Sequence, residues 1–156
     1  MTREMIRPAR PADIAPMIDL LRLLFSIEED FTFDPDRQRR GLEMMLGHDG
    51  AVILVAEAER RVIGMCSGQL TISTAEGGPA LLIEDVVVDK PWQGRGIGRA
   101  LMAALEQWAR ARKVMRLQLL ADRNNKTGQE FYKALGWQDT SLICLRRRLP
   151  DEPGVY

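Results

Sequence analysis

Leu81-Leu82-Ile83-Glu84-Asp85-Val86-Val87-Val88-Asp89-Lys90-Pro91-Trp92-Gln93-Gly94-Arg95-Gly96-Ile97-Gly98 decides the fold. Its first eight residues are a near-continuous apolar run, the pattern of a strand covered on both faces, interrupted only by Glu84 and Asp85. Glycines at 94, 96 and 98 then permit positive φ and let main-chain N–H groups approach whatever they cradle. From about Arg99 to Arg112, Leu101, Leu105 and Trp108 share one face of a helix. A glycine turn between a buried strand and a helix start favours an anion, because the first helical amides are unpaired and the dipole is positive there.

The pattern extends on both sides. Met5 to Ala9 reads as a short first strand. Asp13 is placed to cap a helix with Ile14, Met17, Ile18, Leu21 and Phe25 at helical spacing. Asp34-Pro35 signals a second helix that ends at Gly47. Ala51–Ala56 and Val62–Ser73 are rich in β-formers around a short charged turn at Glu59 and Arg60, which predicts an antiparallel hairpin. Beyond the glycine turn, Arg116–Ala121 predicts a strand returning parallel after a helical crossover. A helix over Thr127–Leu135 ends at Gly136, and Ser141–Arg147 is expected to close the sheet. This is an α+β chain, read as one domain over residues 1–150 with a loose tail over 151–156.

Lys plus Arg and Asp plus Glu both total 22, so no net field draws the molecule to nucleic acid or an anionic membrane. No apolar stretch is long enough to span a bilayer, and the first residues lack a signal-like core, so the expected address is the cytoplasm. Two cysteines, Cys66 and Cys144, sit among apolar neighbours and read as buried thiols, and the one histidine, His48, lies in a turn. No metal site is expected.

Rival phosphate motifs fail on spacing. A GxGxxG register begun at Gly94 meets Arg99, one begun at Gly96 meets Leu101, and no GxxxxGK[ST] occurs. Gln93-x-x-Gly96-x-Gly98, by contrast, resembles the Q/R-x-x-G-x-G/A signature of the GNAT superfamily of N-acetyltransferases. Asn125-x-x-Gly128-x-x-x-Tyr132-x-x-x-Gly136-Trp137 falls where that family places its second conserved region. The resemblance covers nearly the whole chain in element order and is sharpest from Leu82 to Trp137. One departure is Gly128, where members often carry alanine.

The resemblance implies a mixed, mostly antiparallel central sheet with helices on both faces, and an acetyl-CoA co-substrate without a metal. Gln93, Gly94, Arg95, Gly96, Ile97, Gly98 and Arg99 would hold its pyrophosphate, Asn125 would hydrogen-bond it, and main-chain groups of Val86, Val87 and Val88 would pair with the pantetheine arm. Tyr132 takes the place of the general acid that protonates the departing thiolate, with a packed aromatic as the alternative. Glu84 is the expected base, directly or through water, because a carboxylate in an apolar strand is raised in pKa. Regular alternation would turn Asp85 to the opposite face, as an acceptor-site group, and a salt bridge is the alternative for either. Asp85, Glu28, Glu29 and Phe31 are the expected acceptor-binding residues, combining acid and aromatics suited to a cationic amine. The expected activity is acetyl transfer to a primary amine of a small molecule by direct attack. A catalytically silent acetyl-CoA-binding module and a protein N-terminal or lysine acetyltransferase are the alternatives, and the sequence leaves a homodimer open.

Overall fold

The computed structural model describes residues 3–28 and 30–150; Glu29 and the tail assigned to 151–156 lie outside the described residues. Five strands, β1 (Met5–Pro8), β2 (Ala51–Ala58), β3 (Arg61–Ser73), β4 (Gly78–Val88) and β5 (Arg116–Leu119), form one sheet in sequence order. All neighbours are antiparallel except β4 and β5, which run parallel. The helices are α1 (Ile14–Ile27), α2 (Pro35–Leu46), α3 (Ile97–Ala111) and α4 (Lys126–Ala134).

Side-chain alternation along β2 divides the core. Ile53 and Val55 face α1 and α2, meeting Met17, Leu21 and Leu42, while Val52, Leu54 and Ala56 face α3 and pack with Leu101 and Leu105. Each fully buried leucine contributes about 2 kcal/mol. The α3 layer sits close because β3 has Gly64 beneath it, where an added Cβ would meet Leu101 Cδ1 at 3.3 Å. Helices thus cover both faces, as expected.

Local chemistry sets the element ends. Asp34 caps α2 by accepting from the N–H groups of Asp36 and Arg37. The β2–β3 turn puts both Glu59 (φ 50°) and Arg60 (φ 62°) in the left-handed region, the geometry that matches strand twist in a two-residue hairpin loop. Asp13 does not cap α1 with its side chain. Its carboxylate instead accepts from Arg7 Nη1 (2.8 Å) and Nη2 (3.0 Å) and from the Arg10 N–H (2.7 Å), while Arg7 Nε also donates to Glu57 (2.7 Å). Lacking a cation here, a carboxylate as buried as Asp13 would be very costly.

Two expectations fail in the C-terminal stretch. Ser141–Arg147 forms no strand, and Cys144 is exposed, while Cys66 is buried as expected. The composition is that of a strand, yet the backbone finds no sheet edge within its own chain. The segment is tethered instead by Arg146, whose guanidinium lies 3.4 Å from Asp30 and 5.1 Å from the Phe31 ring centre.

The Arg7 cluster yields a stability prediction. The hydrogen bond from Arg7 is the main cause holding the Asp13 carboxyl below its usual range, so this contribution is present above an ordinary carboxylate pKa and is lost as pH falls through the depressed folded value. Arg7→Ala should cost roughly 3 kcal/mol at neutral pH in urea unfolding, and the gap to the parent chain should narrow at acid pH. An equal gap at both would show that Arg7 acts by packing alone.

Candidate active site

The parallel pair β4–β5 sets the site. Pairing runs from Ala80 opposite Arg116 to Ile83 opposite Leu119 and then stops, so among the described residues the outer edge of β4 from Glu84 to Val88 has no strand beside it. On the inner side, Ser67 pairs with Glu84 and Met65 with Val87, so the single residue Cys66 faces both Asp85 and Val86. This is a β-bulge, with Asp85 in the left-handed region at φ 55°.

The extra residue reverses which side chains face which layer. Leu81 and Ile83 belong to the α3 core, yet Val87 belongs to the α1 core, and Val86 and Val88 pack on the α3 side. Strict alternation of Glu84 and Asp85, expected from the sequence, therefore does not hold, because the bulge interrupts the period of two. Glu84 is exposed and Asp85 half-buried.

Burial first, then the nearby Glu84 and Glu28 carboxylates, push Asp85 up to about 7; the Ser67 hydroxyl, 3.5 Å from Asp85 Oδ2, acts in the opposite direction. Glu28, at the C-terminal end of α1, is itself raised by burial and by Asp122, Asp30 and Glu84. Burial pushes the Tyr132 phenol up to about 12, with Glu28 and then Cys66 adding to it. Glu28, Glu84, Asp85, Asp122 and Tyr132 thus share one electrostatic neighbourhood.

Tyr132 is half-buried and held edge-on by Phe131 (5.1 Å between ring centres) and Trp137 (5.9 Å). Phe131 also closes over the glycine turn, since a Cβ at Gly98 would come within 3.1 Å of its ring. The turn and the tyrosine are therefore in mechanical contact. Phe31 stacks at 5.6 Å on Phe25 of α1 and carries the Arg146 guanidinium.

The turn itself has the geometry of an anion cradle. Gly94 (φ 76°) and Gly96 (φ 82°) occupy the left-handed region, and α3 starts with no side-chain cap. Among the described residues, the N–H groups from Gly94 to Arg99 make no hydrogen bond. No acidic residue occupies the first turn of α3, whereas Arg95 and Arg99 sit at that end. Cations at a helix N-terminus oppose its dipole, so an intervening anion is what this arrangement suits. Gln93 Nε2 donates to the Val88 carbonyl at 2.8 Å and ties the turn to the end of β4, and Arg95 lies over the Trp92 ring at 4.9 Å.

Asn125 is engaged as the N-cap of α4, its Oδ1 accepting from the Gly128 N–H at 3.0 Å, with only Nδ2 left to meet a ligand. Gly128 is what permits this cap to fold tightly, since a Cβ there would lie 2.7 Å from Nδ2. The glycine that departs from the family pattern thus makes room for the Asn125 cap. A cleft of about 360 Å³ lies here, lined by Ile27, Asp122 and residues 124–127. A larger cavity of about 480 Å³ contains Arg7, Asp13 and Glu57, which are already ion-paired, so its chemistry is structural.

Ser67 and Asp122 were not singled out by the sequence reading. Nothing around Ser67 signals its place beside the bulge. Asp122 did carry a signal, being a carboxylate just past the end of a parallel strand, where ligands of open α/β sheets collect.

Comparison with known proteins agrees with this geometry. Residues 15–137 match the family model described as "Acetyltransferase (GNAT) family". An aminoglycoside N(6')-acetyltransferase type 1 from Stenotrophomonas maltophilia is 29% identical over 96% of this chain and 95% of its own. N-alpha-acetyltransferase 80 from Mus musculus is 48% identical over 59 residues, 38% of this chain and 18% of that protein. A solved aminoglycoside N-acetyltransferase in complex with CoA superposes with a TM-score of 0.83 at 19% identity, covering 95% of this chain and 96% of its own. The chain belongs to the GNAT acetyltransferase family and is an acetyl-CoA-dependent N-acyltransferase.

Proposed function

We propose that the enzyme acetylates a primary amine on a small molecule bearing several positive charges, such as a polyamine or an amino sugar. The observation that carries this is the cluster of Glu28, Glu84, Asp85 and Asp122 around Tyr132, among which burial and mutual repulsion raise both Glu28 and Asp85. The relative named as an aminoglycoside acetyltransferase, matched along almost its whole length, supports the same direction. Residues 1–150 as one catalytic unit, and the cytoplasm as its address, belong to this proposal.

The glycine turn and the guanidinium groups of Arg95 and Arg99 hold the diphosphate, and the free edge of Val86 and Val87 takes the pantetheine arm as an added strand. Acetyl-CoA supplies an activated thioester when bound. The chain's own residues do the remaining work. A main-chain N–H at the bulge, where β4 loses its regular pairing with β3, donates to the thioester carbonyl oxygen as charge develops.

Asp85 is the better base of the two carboxylates. An alkylammonium near ~10 gives its proton to the Asp85 carboxylate near 7 at an uphill cost of only about 4 kcal/mol. Glu84, exposed beside it, keeps the Asp85 pKa high and helps hold the cationic acceptor. Tyr132, near 12, stays protonated and donates a hydrogen bond toward the sulfur. Outright transfer to a thiolate whose acid is near ~8.5 would run uphill by roughly 3.5 units, so hydrogen bonding rather than early proton transfer is its contribution.

The sign of the pH dependence follows. Asp85 must be ionised to accept a proton, so kcat/KM should rise with pH through about 7. Asp85→Asn should lower kcat about 10²-fold or more and abolish that rise, Ser67→Ala should move the midpoint upward, and Glu84→Gln should keep the rise with its midpoint moved down. Persistence of the parent profile in Asp85→Asn would return the base to Glu84 or water. Tyr132→Phe should reduce kcat by about 10-fold or more with calorimetric CoA affinity unchanged.

Acetyl-CoA consumption with polyamines, amino sugars, amino acids and peptide N-termini tests the acceptor class. Polycations should react best, with KM rising steeply with salt. Preference for peptides would favour a protein acetyltransferase, and CoA binding without turnover on any amine would favour a silent module.

A further inference from the structure

The work assigned to Tyr132 depends on where its hydroxyl points, and the chain directs it by packing alone. Among the described residues the phenol makes no hydrogen bond, so two ring contacts set its direction. One comes from Trp137, which the end of α4 folds back: Gly136 turns the chain at φ 91°, and the Trp137 N–H donates to the Tyr132 carbonyl at 3.0 Å. The other comes from Phe131, the residue immediately before. Successive side chains on a helix point roughly 100° apart and do not normally face each other. Yet these two ring centres lie 5.1 Å apart with planes at 65°, the edge-on geometry that aromatic quadrupoles favour.

The far edge of Phe131 stands on the first turn of α3. Its Cζ and Cε2 would lie 3.1 and 3.3 Å from a Cβ at Gly98, with Val88 Cγ2 at 3.9 Å from the same point. Gly98 is not in the left-handed region, so its backbone has no need of glycine; the ring of Phe131 is what an alanine methyl would meet. Gly98 also belongs to the run of unpaired amides at the start of α3. One ring therefore touches both the anion cradle and the tyrosine.

We propose that Phe131 is a positioning residue, a rigid spacer between the cradle and Tyr132 that registers the phenol to the sulfur of the bound thioester; this rests on the reading of Tyr132 as donor to that sulfur. Diphosphate and sulfur are joined by one arm, so once the turn holds the diphosphate, the phenol must be set by reference to the same turn. A flat ring with two side-chain torsions keeps its length, where an unbranched chain such as methionine would bend. Shortening the ring, or pushing it from Gly98, turns the phenol away from the sulfur.

The test reads the sulfur directly and needs no acceptor. In the complex of the full chain with saturating CoA, the bound thiol is titrated by its ultraviolet thiolate absorbance against the complex with desulfo-CoA. A phenol donating to the thiolate lowers the thiol pKa, so Tyr132→Phe should raise it by about half a unit or more. Phe131→Leu should raise it too, by no more than Tyr132→Phe does, and should add nothing when Tyr132 is already replaced. Gly98→Ala keeps the ring and presses on it from the other side, so it tests the contact where loss of the ring unfolds the chain. It should raise the thiol pKa only while Tyr132 is present. A thiol that titrates as in the parent after Phe131→Leu or Gly98→Ala, or shifts equally with and without the Tyr132 hydroxyl, would overturn the spacer and leave the role of Tyr132 standing. Indifference of the thiol to Tyr132→Phe would remove that role and the spacer with it.

Discussion

The one additional residue in β4 is the constraint from which the site follows. Opposite Cys66 the strand spends two residues where β3 has one, and Asp85 adopts φ 55°, a conformation that costs a residue with a side chain on the order of 1 kcal/mol. Regular pairing resumes at Val87 and Val88, so the distortion is pinned from both sides. Parity reverses, the strand bends, and pairing with β5 ends one residue earlier, at Ile83. A carboxylate and an unpaired stretch of strand edge thereby arise at one point.

Electrostatics distinguishes this point from the rest of the molecule. Where a buried carboxylate serves only the fold, the chain supplies a cation: Arg7 is wedged between Asp13 and Glu57 with contacts of 2.7 to 3.0 Å. Around Tyr132 no cation is provided for Glu28, Glu84 or Asp85 among the described residues, and Glu28 stands at the C-terminal end of α1, where the dipole is unfavourable to it. Equal totals of acid and base over the sequence conceal this segregation.

What could be read from the sequence was whatever rests on residue types with few uses. Gly94 and Gly96 announce a turn at positive φ, Asp34-Pro35 announces a helix start, and the β-formers of Ala51–Ala56 and Val62–Ser73 around Glu59 and Arg60 announce a hairpin. The division of labour between Glu84 and Asp85 was not legible, because a bulge leaves no mark on composition and inverts every side-chain direction inferred from a period of two. Ser67 was silent for the same reason. For Ser141–Arg147 the propensity was read correctly and the pairing was not, since propensity specifies a strand without saying whose edge receives it.

The two ends of the distorted half of β4 are unfinished in opposite senses. At its C-terminal end α3 begins with Gly96, which has no side chain to cap it where α2 and α4 have Asp34 and Asn125, and Arg95 and Arg99 flank that start. At the bulge, carboxylates crowd without a counterion. An anion would suit the first and a cation the second, and between them the β4 edge from Glu84 to Val88 has no paired strand on its β5 side among the described residues. Under the proposed function, a diphosphate and a cationic amine would meet these two ends in one orientation, because reversing it would bring like charges together at both.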